Sequence, residues 1–599
     1  MKLLGALALL YVLAPLNSPP RPFFAVAHRD GKWWFSNEGR PFWSFGVDCV
    51  DLGTEPSKVK ADNPAYSGLK VYPNQTAWAK ASLGQLRSWG FNTLGGWCDV
   101  DALKRGGSSR MLPYTMVLHL GAYDQAPWHD LYSNQMEMAI VGAAKAQIPD
   151  VANDPNLIGY FTDNELGWWD DTLFSSYLAM PSEAPGHKKI VEFLESFYGH
   201  SLRRLQEDWI LDLRSDQSSN GPDPNTQPVY SKETTTFNQL HKMYLRPEGS
   251  GRKAIKSWAG QLAGRYYKLV HDAIRRYDTK HLILGDRYCQ YFSLPVAQAA
   301  APYLDVVSTN YGADWNDGSV CHFYLDTLHR ATLKPLIITE FYMCARENRS
   351  GNKNDSDGFP VVDTQKQRAA AFSKYVRSVA SLPYMLGAHW FQYTDEPGKG
   401  RGDGENYDMG LVDISGRPYE AITAAARSLK PTRIHALGVT PRELNAIPPA
   451  PAKPFEGFKA WDRVRGFISA DTKLPVADLY AAWKPEGLYL GFYAMDYSDP
   501  SLYVGKKIPE SERQKAVVHL PGGREVSIRY GGDRPPTIDG SGVVAKEQGG
   551  LKSSLEVLIP SACFTEGRLG KGHKLLIDAE CWTTGRAEHM SWKRRVTLR

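Results

Sequence analysis

Two stretches of this 599-residue chain share one form. Ile158-Gly-Tyr-Phe-Thr-Asp-Asn-Glu165 and Pro335-Leu-Ile-Ile-Thr-Glu340 are short apolar runs that each stop at a glutamate. Runs of this length are too short for helices and, bounded by turn residues, predict buried parallel strands. Upstream, Lys32-Trp-Trp-Phe-Ser36, the turn Asn37-Glu-Gly39 and Pro41-Phe-Trp-Ser-Phe-Gly-Val47 predict an opening hairpin and a first strand. Strand-like and helix-like segments then alternate. Strands are expected at 91–97, 114–120, 158–163, 282–286, 304–310, 336–340 and 387–393, and amphipathic helices at 79–89, 136–146, 259–277, 364–380 and 418–428. Gly90 reads as a helix stop. Eight strands alternating with helices over about 400 residues predict an α/β fold, a (β/α)8 TIM barrel with long insertions. The Ser-, Asn-, Asp- and Pro-rich segment 212–235 is one such insertion.

After Leu429 the texture changes. Asn445-Ala-Ile-Pro-Pro-Ala-Pro-Ala-Lys-Pro454 reads as a stiff, extended linker. Short strand-like runs follow at 477–483, 487–493, 515–520, 526–529, 554–559 and 574–579, with turn signals at Gly522-Gly523 and Gly531-Gly532. That rhythm predicts a C-terminal antiparallel β-sandwich. The expected division is a leader or short anchor at 1–24, the barrel at 25–432, the linker at 433–455 and the sandwich at 456–599. In the leader, Lys2 precedes the apolar run Leu3 to Ala14, too short to span a bilayer, and a Pro-rich stretch follows. This predicts export to a secreted or periplasmic location, with no stable membrane insertion after cleavage. An uncleaved anchor stays open, because no clean small-x-small site is present.

A net charge of +5 with scattered basic clusters excludes the stripe expected of a nucleic-acid binder. None of the seven cysteines forms a CxxC or a Cys/His metal pattern, so no metal site is expected. Cys563 and Cys581 share the last domain and could bridge, but buried free thiols are the default expectation.

In barrels of this kind the C-terminal strand ends build the active site. Glu165 and Glu340, at the ends of the fourth and seventh strands, are two carboxylic acids on that face. They are the minimum equipment for breaking a glycosidic bond. Either alone would pass as an ordinary strand-end residue. The pair, with Asn164 before the first, points to catalysis without a cofactor. Asn164 can hydrogen-bond a sugar 2-hydroxyl. Arg287, after the fifth strand, is a candidate positive partner for Glu340. Trp97, Trp168, Trp169, Trp315 and Tyr393 fall where a glycan would stack, and His119 and His389 where they could touch it. Glu396 and Glu405, after the eighth strand, read as substrate-contacting or structural.

This layout resembles the retaining glycoside hydrolases of clan A. There an Asn-Glu pair ending strand four is the acid/base and a Glu ending strand seven the nucleophile. The closest likeness is to the family 50 β-agarases, through Asp30-Gly-Lys-Trp-Trp-Phe35, Gly39-Arg-Pro-Phe-Trp-Ser-Phe-Gly-Val47 and Gly159-Tyr-Phe-Thr-Asp-Asn-Glu165. His389-Trp-Phe-Gln-Tyr393, Asp403-Gly-Glu-Asn-Tyr407 and Gly410-Leu-Val412 extend it, while Phe341-Tyr-Met-Cys-Ala345 departs from the Gly-rich continuation expected. The resemblance implies that Tyr311 hydrogen-bonds the nucleophile and that Trp390 floors the reacting sugar. The last domain is similar to family-9-like carbohydrate-binding modules, with a purely structural brace as the alternative. The resulting expectation is hydrolysis of a β-linked galactan of agarose type, polysaccharide or oligosaccharide. A β-galactosidase or β-mannanase-like activity and a non-catalytic glycan-binding role remain the alternatives.

Overall fold

In the computed structural model the described residues are 23–107, 111–122, 125–211, 236–354, 359–438, 446–450, 466–540, 542–548, 552–565 and 567–599. Residues 1–22 of the leader, the 212–235 insertion and 439–445 and 451–455 of the linker lie outside them.

The barrel region is built on one parallel nine-stranded sheet. Its order is Leu282–Ile283, Leu157–Phe161, Tyr114–Val117, Thr93–Leu94, Ser44–Val47, Met385–Trp390, Leu336–Phe341, Val307–Asn310, Tyr288–Cys289. The two edges are consecutive pieces of chain, separated only by residues 284–287. Leu284 N–H donates to the Tyr160 carbonyl (2.8 Å) on one side, and Asp305 N–H donates to the Ile283 carbonyl (2.9 Å) on the other. The sheet is therefore curled until its edges share one segment. Helices alternate with the strands, and their starts follow local chemistry. The Asn74 side chain caps Gln75–Ser88, Ser133 caps Asn134–Gln147, and Thr364 with Gln367 makes a capping box on Gln365–Ala380.

The opening hairpin, Phe24–Arg29 with Lys32–Asn37, extends through Arg40–Phe42 into a three-stranded antiparallel sheet. Phe24 and Phe35 pack against Ile158, Leu284, Val306, Ile337 and Leu386, which lie near the N-terminal ends of the strands. Apolar contact thus seals that end and leaves the C-terminal ends to carry polar groups.

Three β-bulges reset the alternation of inward and outward side chains, the first at Ile158, where Tyr114 pairs with Leu157 but Thr115 with Gly159. Leu336 pairs with Met385 but Ile337 with Gly387, so the eighth barrel strand carries an extra residue. Thr309 pairs with Ile338 but Asn310 with Glu340, an extra residue in the seventh. Leu386 and His389 therefore both face the axis, while Ala388 and Trp390 face the helices. Beyond the bulge Glu340 turns inward and Phe341 outward.

Two stacked sheets form the C-terminal part, and every pairing in them is antiparallel except the Ala446–Ile447 edge. One is ordered Ala446–Ile447, His589–Leu598, Lys574–Trp582, Gln514–Leu520, Arg524–Tyr530, Thr537–Asp539. The other is ordered Gly466–Ile468, Ala477–Lys484, Gly487–Met495, Lys552–Pro560, Val544–Gln548. Phe492 meets Trp592 edge-on between them. The span 433–455 departs from a plain linker. Pro431–Leu437 is a helix packed on Gln365–Ala380, and Ala446–Ile447 joins a sheet in parallel with Thr597–Leu598. Further along, the Ala450 N–H donates to the Trp483 carbonyl (2.8 Å). All seven cysteines are free thiols. Among the described residues no helix is long and apolar enough to cross a membrane.

Candidate active site

Five non-glycine residues adopt left-handed backbone just beyond five barrel strands: Cys49 (φ 55°), Trp97 (55°), His119 (51°), Glu165 (53°) and Arg287 (58°). L-residues rarely occupy this region, and such strain persists only where the surroundings hold it. Here neighbouring strand ends lock one another. Glu165 N–H donates to the Asp286 carbonyl (3.0 Å) and Tyr311 N–H to the Glu340 carbonyl (2.9 Å).

Inside this ring stand two carboxyl groups joined by one amide. Asn310 Nδ2 lies 2.8 Å from Glu165 Oε1 and 2.8 Å from Glu340 Oε1, so these oxygens are at most twice that, 5.6 Å, apart. The same nitrogen lies 3.1 Å from Asn164 Oδ1. Arg287, fully buried, donates from Nη2 to Glu340 Oε1 (2.8 Å), Asp48 Oδ2 (3.1 Å) and the Thr339 carbonyl (3.1 Å). Its guanidinium also sits 4.1 Å from the centre of the Trp97 ring.

The electrostatics follow from four crowded carboxyl groups, Glu340 and Asp48 on the Arg287 guanidinium, Glu405 on that of Arg401, and Glu165 beside them. Burial pushes Glu340 well above the usual carboxylate range, opposed by Arg287 and reinforced by Glu165, Asp48 and Glu405. Burial lifts Asp48 to about 7, again against the pull of Arg287. Glu405 is raised by burial, although Arg401 Nη2 pairs with it at 2.5 Å. So crowded a set cannot be fully ionised, and the site retains protons near neutral pH. The ionised form of Glu340 is favoured by its two donors, Arg287 and Asn310, both on Oε1.

Several sequence expectations converge on this site. Glu165, Glu340, Asn164, Arg287 and Trp97 are gathered in it, and Glu405 lies close enough for its charge to act on Glu340. Trp97 Nε1 donates to His119 Nε2 (3.1 Å). His389 is inward but buried below the carboxyls, 2.9 Å from Ser44 Oγ and 3.8 Å from Asp48 Oδ1. Burial and Arg287 depress its pKa to about 3, so it is neutral.

Four others are corrected. The Tyr311 hydroxyl does not meet the Glu340 carboxyl; only its backbone N–H bonds the Glu340 carbonyl. Alternation along Val307–Asn310 turns Asn310 inward and Tyr311 outward, where its hydroxyl meets Asp314, Cys321 and Lys552. Trp390 is no sugar floor. The bulge turns it onto Phe341, Phe372 and Arg368, and its Nε1 donates to the Met409 carbonyl. Trp168 is buried with its Nε1 on Asp286 and its ring stacked on Tyr267. Trp315 packs against Tyr480 and Tyr493 of the sandwich.

Sequence reading passed over Asn310 and Asp48, although both end or follow a predicted strand, the signal that singled out the glutamates. Phe391, the residue after Trp390, meets Trp97 edge-on. Cys289 meets Glu165, and burial with that charge keeps its thiol protonated. Beside the centre a cleft of about 420 Å³ is lined by Tyr66, Gln392, Glu396 and Arg401 among others. Burial and the Glu405 charge push Glu396 up to about 8.

No family model matches the chain. It is similar to beta-agarase A of Vibrio sp. (strain JT0107), with 27% identity over 480 residues, 68% of this chain and 45% of that protein. It is also similar to beta-agarase B of the same strain, with 26% identity over 366 residues, 59% of this chain and 36% of that protein. The chain thus spans less than half the length of these curated relatives. Among solved structures, an exo-beta-agarase superposes with a TM-score of 0.55 at 21% identity, covering 69% of this chain and 65% of that one. An agarase, AgWH50C, gives 0.55 at 22% identity, covering 70% and 67%. At these identities the structural likeness is one of fold.

Proposed function

We propose that this chain is a retaining glycoside hydrolase of the clan A type, acting on a β-linked galactan of agarose type, polysaccharide or oligosaccharide. The observation that carries the reading is Asn310 Nδ2 at 2.8 Å from an oxygen of both Glu165 and Glu340. Retaining enzymes hold their carboxyls about 5–5.5 Å apart, whereas inverting ones leave about 6.5–9.5 Å for a water. The 5.6 Å ceiling between the facing oxygens supports the first arrangement. Similarity to the two Vibrio beta-agarases supports the substrate.

Glu340 is the nucleophile and Glu165 the acid/base. Arg287 and Asn310 favour the carboxylate of Glu340. Asn164 Oδ1 lies 3.1 Å from Asn310 Nδ2, and its own amide nitrogen is left for a sugar hydroxyl. Trp97 and Phe391 offer the apolar surface for the ring, and Glu405 with Arg401 lines the rim. The reading includes a curled sheet that closes as a (β/α)8 barrel, supported by the shared 282–289 segment. It also includes export, supported by the Lys2 to Ala14 pattern, and a sandwich that braces the barrel.

The test is hydrolysis of agarose and of a panel of β-glucans, β-mannans and β-galactosides by wild type, Glu340→Ala and Glu165→Gln. Cleavage of agarose abolished by both substitutions supports reaction, substrate and roles. Cleavage of another glycan alone keeps the chemistry and discards agarose. Activity surviving Glu340→Ala removes the nucleophile assignment.

A further inference from the structure

We infer that Asn310 is a positioning residue that selects the reacting oxygen of both carboxyl groups at once, an inference resting on the retaining-hydrolase reading. Its amide orientation is dictated by its surroundings. Oδ1 accepts from Arg287 Nε (3.2 Å) and Thr339 Oγ1 (2.7 Å), while Nδ2 faces the oxygens of Glu165, Glu340 and Asn164. The flipped amide would set an acceptor against three acceptors and its NH2 against the Arg287 guanidinium, which can only donate.

The consequence lies in which oxygens stay free. Oε1 of Glu340 already accepts from Asn310 Nδ2 and Arg287 Nη2, both at 2.8 Å, and is thereby tied to the protein. Oε2 is left to attack. Oε1 of Glu165 accepts the other Nδ2 hydrogen and so carries no proton, which places the acidic proton on Oε2. In the first step a lone pair of Glu340 Oε2 bonds the anomeric carbon. The bond to the leaving oxygen breaks with its electron pair, and that oxygen takes the proton from Glu165 Oε2. In the second step water attacks the anomeric carbon and gives its proton back to Glu165 Oε2. The ester bond breaks and its pair returns to Glu340. Throughout, Oε1 of Glu340 remains with its two donors, which stabilise it as ester carbonyl and as departing carboxylate alike.

A neutral donor held on a carboxylate favours ionisation, and its loss is worth about one pKa unit. Asn310→Ala removes one donor from both groups, so both pKa values must rise together. The experiment is a carboxyl titration by infrared difference spectroscopy on the full chain, with Glu165→Gln and Glu340→Gln assigning the two bands. It reads the groups without substrate, so a failure to cut any glycan counts against the proposed function and leaves this test standing. The expected result is an upward shift of about one unit in both groups. In the active enzyme the whole bell-shaped pH–rate profile then moves to higher pH, with kcat reduced about tenfold or more and KM within about twofold. A merely structural role would lower the rate at every pH without moving the bell. Either group left unshifted in Asn310→Ala overturns the inference. If that variant fails to fold, Thr339→Val, which frees Oδ1 of Asn310, decides by the same criterion with a smaller shift in the same direction.

Discussion

Arg287→Met tests the electrostatic heart of the site, because methionine keeps much of the packing and removes the cation bonded to Glu340 Oε1. Arg287 is fully buried, 2.8 Å from Glu340 Oε1 and 3.1 Å from Asp48 Oδ2. At an effective dielectric of about 20, each contact is worth about 5–6 kcal/mol of Coulomb attraction before desolvation is subtracted. Breaking a buried pair by deleting one partner costs about 3–5 kcal/mol net. The carboxyls escape part of that cost by taking up protons. Glu340 then sits neutral at pH 7, and at about 1.4 kcal/mol per decade the ionised fraction falls by about 10² to 10³. The assay is kcat/KM on the accepted glycan from pH 5 to 10, with urea unfolding at pH 5 and pH 8. The variant should lose about 10²- to 10³-fold at pH 7 and recover about tenfold per pH unit above it. Its stability deficit should be small at pH 5, where Asp48 is neutral, and large at pH 8. Wild-type kcat/KM at pH 7, or a loss of equal size at every pH, would refute the assignment of Arg287 as the group that keeps Glu340 ionised.

Two further expectations concern stability. Burial lifts Asp48, Asp163 and Asp478 to about 7, and burial together with the Glu405 charge lifts Glu396 to about 8. These folded-state values lie above the ordinary 3.8 and 4.5, so the native protein holds protons that the unfolded chain has released. Their contribution is full below about pH 4 and is lost as pH climbs through 7 to 8. Asp278, held near 2 by His281, Tyr160 and the Lys280 amide against its own burial, works in the opposite sense only below pH 4. A thermal melt series should therefore show Tm falling between pH 5 and pH 8, and a rising Tm would contradict this. Lys552 of the sandwich, 7% exposed at its side chain, pairs with Asp314 (2.6 Å) and with the Tyr311 hydroxyl (2.8 Å). Lys552→Met should cost about 3–5 kcal/mol in denaturant unfolding, and Asp314→Asn in the same chain should restore much of it. Purely additive losses would show that the pair does not dock the sandwich.

Much of this molecule was legible in the chain alone. Run length, turn residues and the 3.6-residue period located the eight strand segments and five of the helices. These are local properties, set by what each segment must bury. The same rule marked Glu165 and Glu340, because a polar residue that ends an apolar strand emerges at the rim. Short-range chemistry also marked the stop at Gly90 and the strand-rich rhythm after Leu429.

The phase of each strand about the axis lay beyond it. Two single-residue bulges, one before Gly387 and one at Thr339, turned Trp390 away from the site and Glu340 into it. Tyr311 and Asn310 are neighbours, and only the inward facing of Val306 and Ser308 determines which of them meets the glutamates. Trp168 and Trp315 fell where a glycan would stack, yet Asp286 claims one and the sandwich claims the other. A side chain's direction depends on the register of its strand against neighbours tens or hundreds of residues away, and no local pattern records that register. The protonation of the site has the same origin. Asp48, Arg287, Asn310 and Glu340 come from four different strand ends, so the charges that set one another's pKa values meet only once the sheet has curled.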